Sequence, residues 1–153
     1  VDIGTATTFD AIDGNGAYQG GAIFPGLKVA MEALFLKASK LPRVDIERPK
    51  NAIGKTTVQS MQSGAVRGYV GALTGIITDI QKELGGKARV VATGMGRMMA
   101  EYCDLIDDVD PNLTLEGLRL IYENNREAFE NRKLDMNNSV IEVTEEGAWQ
   151  ENK

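Results

Sequence analysis

The sequence predicts an α/β domain, a mixed sheet with flanking helices, and three observations carry that prediction. Residues 7–23 alternate apolar and polar side chains about a Gly14-Asn-Gly16 turn, the pattern of an antiparallel hairpin. Residues 27–38 carry apolar side chains at helical spacing, and residues 57–84 read as a second helix with its glycines on one face. Ala88-Arg-Val-Val-Ala-Thr-Gly94 is a short apolar run ending in glycine, which suits a buried strand leading into a turn.

In chain order, the first element is a strand end at Asp2 that turns through Gly4 and offers Thr5, Thr7 and Thr8. Gly4 lacks a Cβ, so an anion can approach the backbone there. The amides and hydroxyls that follow can donate to phosphate oxygens. Asp2 can hold a cation or orient water beside them, or it can act as a turn cap bonded to local amides. Both readings of Asp2 stand on these residues alone. The hairpin follows. Its Gly14-x-Gly16 lies between two strands, where a dinucleotide loop would need strand then helix, so it is a turn.

Pro25 stands near the start of the first helix, where its missing amide costs little. Leu27, Ala30, Met31, Leu34 and Ala38 recur at helical spacing and should pack on the sheet. The helix stops before Leu41-Pro42, and residues 43–54 form a polar connector. In the second helix Gly64, Gly68, Gly71 and Gly75 fall at steps of four, three and four, on one face. Each costs a helix interior about 0.5–1 kcal/mol relative to alanine. Such a stripe implies close approach of another backbone, either within this chain or from a second subunit. Gly85-Gly86 ends the helix. Beyond the 88–94 strand come a short helix, a strand or turn at 106–110, and a helix carrying Leu115, Leu118, Ile121 and Tyr122, capped by Asn112 or Thr114. The final residues are polar and charged, apart from a strand-like run at 139–144 and Trp149.

With 153 residues the chain can build one domain with a sizeable core. A net charge of −5 and the lack of any Lys/Arg run argue against nucleic-acid binding, which needs basic surface. The single cysteine, Cys103, excludes an intrachain disulfide and a Cys-rich zinc site. With no histidine, a Ser-His-Asp triad, a histidine metal ligand and a histidine base are all excluded. No stretch has the uninterrupted apolar length of a membrane span. The expectation is a soluble, cytoplasmic protein with no nucleic-acid or membrane partner.

Asp2-Ile-Gly-Thr-Ala-Thr-Thr-Phe-Asp10 resembles the second phosphate motif of the type III pantothenate kinases, members of the acetate kinase, sugar kinase, Hsp70 and actin superfamily. Further matches follow in order: Gly20-Gly-Ala-Ile-Phe-Pro-Gly26, Leu41-Pro42, Ile53-Gly-Lys-Thr-Thr57, Gln62-Ser-Gly64, Ala92-Thr-Gly94 and Pro111-Asn-Leu-Thr-Leu-Glu-Gly-Leu118. The resemblance runs to about Tyr122. It implies a ribonuclease H-like domain, the second half of a two-domain kinase, with residues 1–124 as the C-terminal kinase domain and 125–153 as a polar extension. The family's first half, with its D-x-G-N-T loop and the G-x-D-R segment bearing the catalytic base, is absent from this sequence.

The reaction implied is transfer of the ATP γ-phosphoryl group to the primary hydroxyl of pantothenate, the first step toward coenzyme A. No catalytic residue is then expected in this chain, and the chain alone should be inactive. Asp2 matches the position that holds a monovalent cation, potassium or ammonium, and Mg²⁺ is expected with the nucleotide. Thr5 and Gly4, with Thr93 and Gly94, match the ATP-binding positions. The family pairs two glycines after that threonine, whereas here Met95 follows Gly94. Thr57 matches a pantothenate contact; on the residues alone it reads equally as a helix N-cap. Pro25 and Gly26 read as structural support. The resemblance further implies a homodimer. The alternative is a regulatory accessory-factor member of the same family that does not catalyse.

Overall fold

The computed structural model describes residues 1–86, 88–126 and 130. The 139–144 run and Trp149 lie outside the described residues. The chain divides into two compact units, Val1–Leu113 and the segment beginning at Thr114.

The first unit is built on a five-stranded mixed sheet. Its strands are β1 (Asp2–Ile3), β2 (Ala6–Ile12), β3 (Tyr18–Pro25), β4 (Val91–Gly94) and β5 (Asp108–Val109), in the order β3-β2-β1-β4-β5. β2 and β3 form the expected antiparallel hairpin, and β1 joins β2 antiparallel with Asp2 opposite Thr8. β1 pairs in parallel with β4, and β4 with β5.

The hairpin turn is organised by Asp13. Its carboxylate accepts the Asn15 amide at 2.8 Å, the Ala17 amide at 2.9 Å and Gln19 Nε2 at 2.7 Å. Pro25 is the last residue of β3, an edge strand, where a missing donor is tolerated.

Helix α1 (Leu27–Lys37) buries Leu27 and Met31. Ala30 and Leu34, expected on the sheet, instead line a cleft between α1 and α2. Helix α2 (Thr57–Glu83) puts Met61, Tyr69, Leu73 and Ile77 into the core, with Ile3 and Phe9 of the sheet against them. It ends at Leu84. Gly85 takes the left-handed conformation at φ 79°, the Gly86 amide reaches back to Gln81 O, and the Gly85 amide to Lys82 O, which together satisfy the last carbonyls.

The α2 glycines differ from one of the two expectations. A Cβ at Gly64, Gly68, Gly71 or Gly75 would meet no atom within 4 Å. Close packing against the described residues therefore does not explain the stripe; the core-facing side of α2 is the neighbouring row of large side chains.

A short helix, α3 (Gly96–Ala100), follows β4 and buries Met99. Helix α4 (Leu113–Asn124), all but its first residue in the second unit, carries Arg119 paired with Glu116 and Glu123. Leu115, Leu118, Ile121 and Tyr122 are exposed. Thr114 lies inside this helix, and Asn112 directly precedes it with its amide on Asp110 Oδ1 at 2.8 Å.

Candidate functional site

The parallel pairing of β1 and β4 brings together three of the residues singled out in the sequence, Asp2, Thr93 and Gly94. Asp2 is the register partner of Thr93, and Ile3 of Gly94. Partners in a ladder share a face, so Asp2 and Thr93 lie on one side of the sheet, with Thr8 beside Asp2 on the next strand. Both parallel strands end at this point, and the carboxyl ends of adjacent parallel strands form the crevice where open α/β sheets bind ligands.

Two glycines make the junction this tight. Gly94 adopts φ 64°, and a Cβ there would lie 2.5 Å from Ile3 O and 2.9 Å from Asp2 Oδ1. The Asp2 carboxylate thus rests directly beside the Gly94 backbone. The Met95 amide then donates to Ile3 O at 2.8 Å and locks the turn after β4 to the end of β1. Gly26 performs the corresponding role on the other side. A Cβ at Gly26 would stand 2.1 Å from Gly4 O and 2.5 Å from Thr5 O, and the Gly26 amide donates to Thr5 O at 3.0 Å. The support expected of Pro25-Gly26 is therefore a direct backbone contact with the Gly4–Thr5 turn.

The three threonines of the first motif separate. Thr5 is exposed at the turn, and Thr8 is half-buried on the Asp2 face. Thr7 is fully buried on the opposite face, and its hydroxyl forms a hydrogen bond with the Tyr69 hydroxyl of α2. Strand alternation turns the Thr7 hydroxyl away from the face that carries Asp2 and Thr8. Burial pushes the Tyr69 phenol above its ordinary range, a shift the Thr7 bond partly opposes. Asp10 is exposed on β2.

Met95 does not break the glycine requirement of the β4 turn. Its backbone is ordinary (φ −78°, ψ 13°), and its side chain packs against the core. The residues that must be small are its neighbours, Gly94 by conformation and Gly96 because a Cβ there would sit 2.7 Å from the Ala92 methyl.

Thr57 belongs to a second feature, an apolar cleft of about 510 Å³ between α1 and α2. Phe24, Leu27, Met31, Leu34, Met61 and Tyr69 supply its apolar wall, and Thr57 and Ser60 stand on its polar side. The N-cap of α2 is Thr56, whose hydroxyl accepts the Gln59 amide at 3.2 Å. Gln59 Oε1 in turn accepts the Lys55 amide at 3.0 Å. The capping role considered for Thr57 thus falls one residue earlier, leaving Thr57 as the first helical residue on the cleft. The Thr56-x-x-Gln59 spacing that announces this cap was present in the sequence. Lys55 is exposed.

Among the described residues, no group of three or more Asp, Glu, His or Cys is placed to hold a metal ion, and no helix is long and apolar enough to cross a membrane.

Residues 1–79 match the family model described as type III pantothenate kinase. Relatives that carry that name include proteins from Moorella thermoacetica, 56% identical over 126 residues, and Syntrophobacter fumaroxidans, 53% identical over 128. A third, from Myxococcus xanthus, is 55% identical over 126 residues. Each alignment covers 82% of this chain, and the chain spans about half the length of these relatives. The fold is also similar to the crystal structure of a conserved protein assigned to the Baf family of transcriptional activators from Campylobacter jejuni. That likeness has a TM-score of 0.56 at 23% identity and covers 82% of this chain and 57% of the other.

Proposed function

The chain belongs to the type III pantothenate kinase family, and on that premise we propose that it is the C-terminal half of a kinase that phosphorylates pantothenate. The reaction passes the ATP γ-phosphoryl group to the substrate's primary hydroxyl. Residues 1–124 form the C-terminal kinase domain, of the ribonuclease H-like architecture of the actin and Hsp70 superfamily, and residues 125–153 form an extension. An upstream half supplies the catalytic base, so the chain alone is inactive. The enzyme works in the cytoplasm as a homodimer.

The observation that carries this reading is the junction of β1 and β4, where Asp2, Gly4, Thr93 and Gly94 converge at the carboxyl ends of two parallel strands. Phosphoryl transfer depends on positioning and charge neutralisation more than on covalent help. The Thr5 hydroxyl donates to the nucleotide phosphates, Gly4, whose own amide is taken by Ala6 O, lets them approach because it has no Cβ, and Thr93-Gly94 borders the adenosine.

Asp2 offers one carboxylate next to backbone oxygens of the same junction. That donor set suits a large, weakly hydrated monovalent ion, potassium or ammonium, better than an all-protein cage for a divalent ion. Such a cation, when bound, neutralises phosphate charge, and Mg²⁺ accompanies the ATP. Thr57 donates or accepts a hydrogen bond from pantothenate, and the apolar wall of the cleft covers the substrate's hydrocarbon.

Two variants of the full-length protein test this assignment by steady-state kinetics. Thr57→Ala raises the KM for pantothenate about ten-fold, the range of one hydrogen bond to a bound ligand, and leaves the KM for ATP unchanged. Asp2→Ala removes the preference for potassium over sodium. A Thr57 variant with wild-type pantothenate KM, or an Asp2 variant with an intact cation preference, would contradict the site.

A further inference from the structure

The loop that delivers Thr57 to the cleft is held along its length by side chains of α2. Ser63 is 4% exposed, and its hydroxyl donates to Ala52 O at 2.6 Å. One turn nearer the N-terminus, Ser60 Oγ donates to Gly54 O at 3.4 Å. Gln59 Oε1 accepts the Lys55 amide, and the Gln59 amide is accepted by Thr56. Gly54 lies flat on the helix, where a Cβ would be 2.3 Å from the Ser60 amide nitrogen and 2.6 Å from Gln59 C. Every residue from Ala52 to Thr56 except Ile53 is therefore tied to α2 by a hydrogen bond or by direct backbone approach.

A buried serine in a helix interior usually returns its hydroxyl to its own helix, four residues back. Ser63 instead spends its donor on a carbonyl of the preceding loop. Its bond is also the shortest of this series and the only one from a buried side chain.

We propose that Ser63 is a positioning residue for pantothenate binding: it anchors the Ala52–Thr56 loop on α2 and so sets where Thr57 stands on the cleft. The inference rests on the reading of Thr57 as the pantothenate contact. Ser63 touches no substrate itself. It acts through the loop, and its effect on the KM for pantothenate exists only while the Thr57 hydroxyl is there to be placed.

That dependence separates positioning from general support of the fold. In the full-length protein, Ser63→Ala should raise the KM for pantothenate about five-fold, the scale of one lost hydrogen bond, with kcat and the KM for ATP within about two-fold of wild type. Combined with Thr57→Ala, it should add nothing further to the pantothenate KM, because residues acting through one contact are not additive. Gly54→Ala, which lifts the same loop from the helix without touching Ser63, should behave alike. If Thr57→Ala alone leaves the KM unchanged, the reading of Thr57 fails and this inference fails with it. If Thr57→Ala raises the KM but Ser63→Ala and Gly54→Ala do not, or if their effects multiply with it in the double variants, only the positioning role is overturned.

Discussion

Gly94 is held at φ 64° with the Ile3 carbonyl and the Asp2 carboxylate where a side chain would be. An alanine there meets both a disfavoured backbone conformation and a backbone oxygen that cannot move without parting β1 from β4. Gly94→Ala should destabilise the protein by about 1–3 kcal/mol, read as a lower midpoint of urea denaturation. An unchanged midpoint would mean that the junction is looser than described. Asp13 gives a prediction in pH. Bonds from the Ala17 and Asn15 amides, then Gln19, hold its carboxyl below the ordinary carboxylate range. As pH falls, the unfolded chain takes up this proton before the folded one does. The stabilisation is therefore complete above about pH 4 and fades as pH drops toward the depressed folded value. Asp13→Asn should be less stable than wild type at pH 7, with the gap closing below about pH 4 in a series of thermal melts. A gap that widens in acid would contradict the assignment. At this scale the sequence singles out Asp2, Gly4 and Gly94 because their neighbours complete the motif, and the structure sets the Asp2 carboxylate beside Gly94. The burial of Thr7 was not, because its partner Tyr69 lies 62 residues away.

Among the elements, α2 differs most from a simple amphipathic helix. Its core row of Met61, Tyr69, Leu73 and Ile77 was hidden in a sequence whose most regular feature is the glycine row. Among the described residues nothing packs against those glycines, and the homodimer proposed above supplies the second backbone they imply. Gly68→Leu should convert the full-length dimer to a monomer in light scattering without lowering the melting temperature of the fold by a core-sized amount. A dimer of unchanged mass would overturn the interface. Helix ends were legible to within a residue: Thr56 caps where Thr57 was considered, and Gly85-Gly86 terminates as its composition implies. The strand at residues 88–94 begins later than its apolar run suggests. The Val90 amide goes to the Asp107 carboxylate at 2.8 Å, its carbonyl accepts the Asp107 and Asp108 amides, and the regular register with β5 begins at Val91.

For the molecule as a whole, the mixed α/β class and the hairpin followed from local patterns, whereas the sheet order did not. β1 is two residues long, and its parallel partner lies about ninety positions further on. No local periodicity announces such a pairing, yet it is what gathers Asp2 with Thr93 and Gly94. The motif spacing pointed to these residues as a set, and the sheet explains why they form one. The central claim, a kinase acting on pantothenate, is tested most directly by ADP release from the full-length protein with and without pantothenate, in potassium and in sodium. Release should require pantothenate and be faster in potassium. A folded protein that binds nucleotide but releases no ADP when pantothenate is added would contradict it and favour a regulatory member of the family.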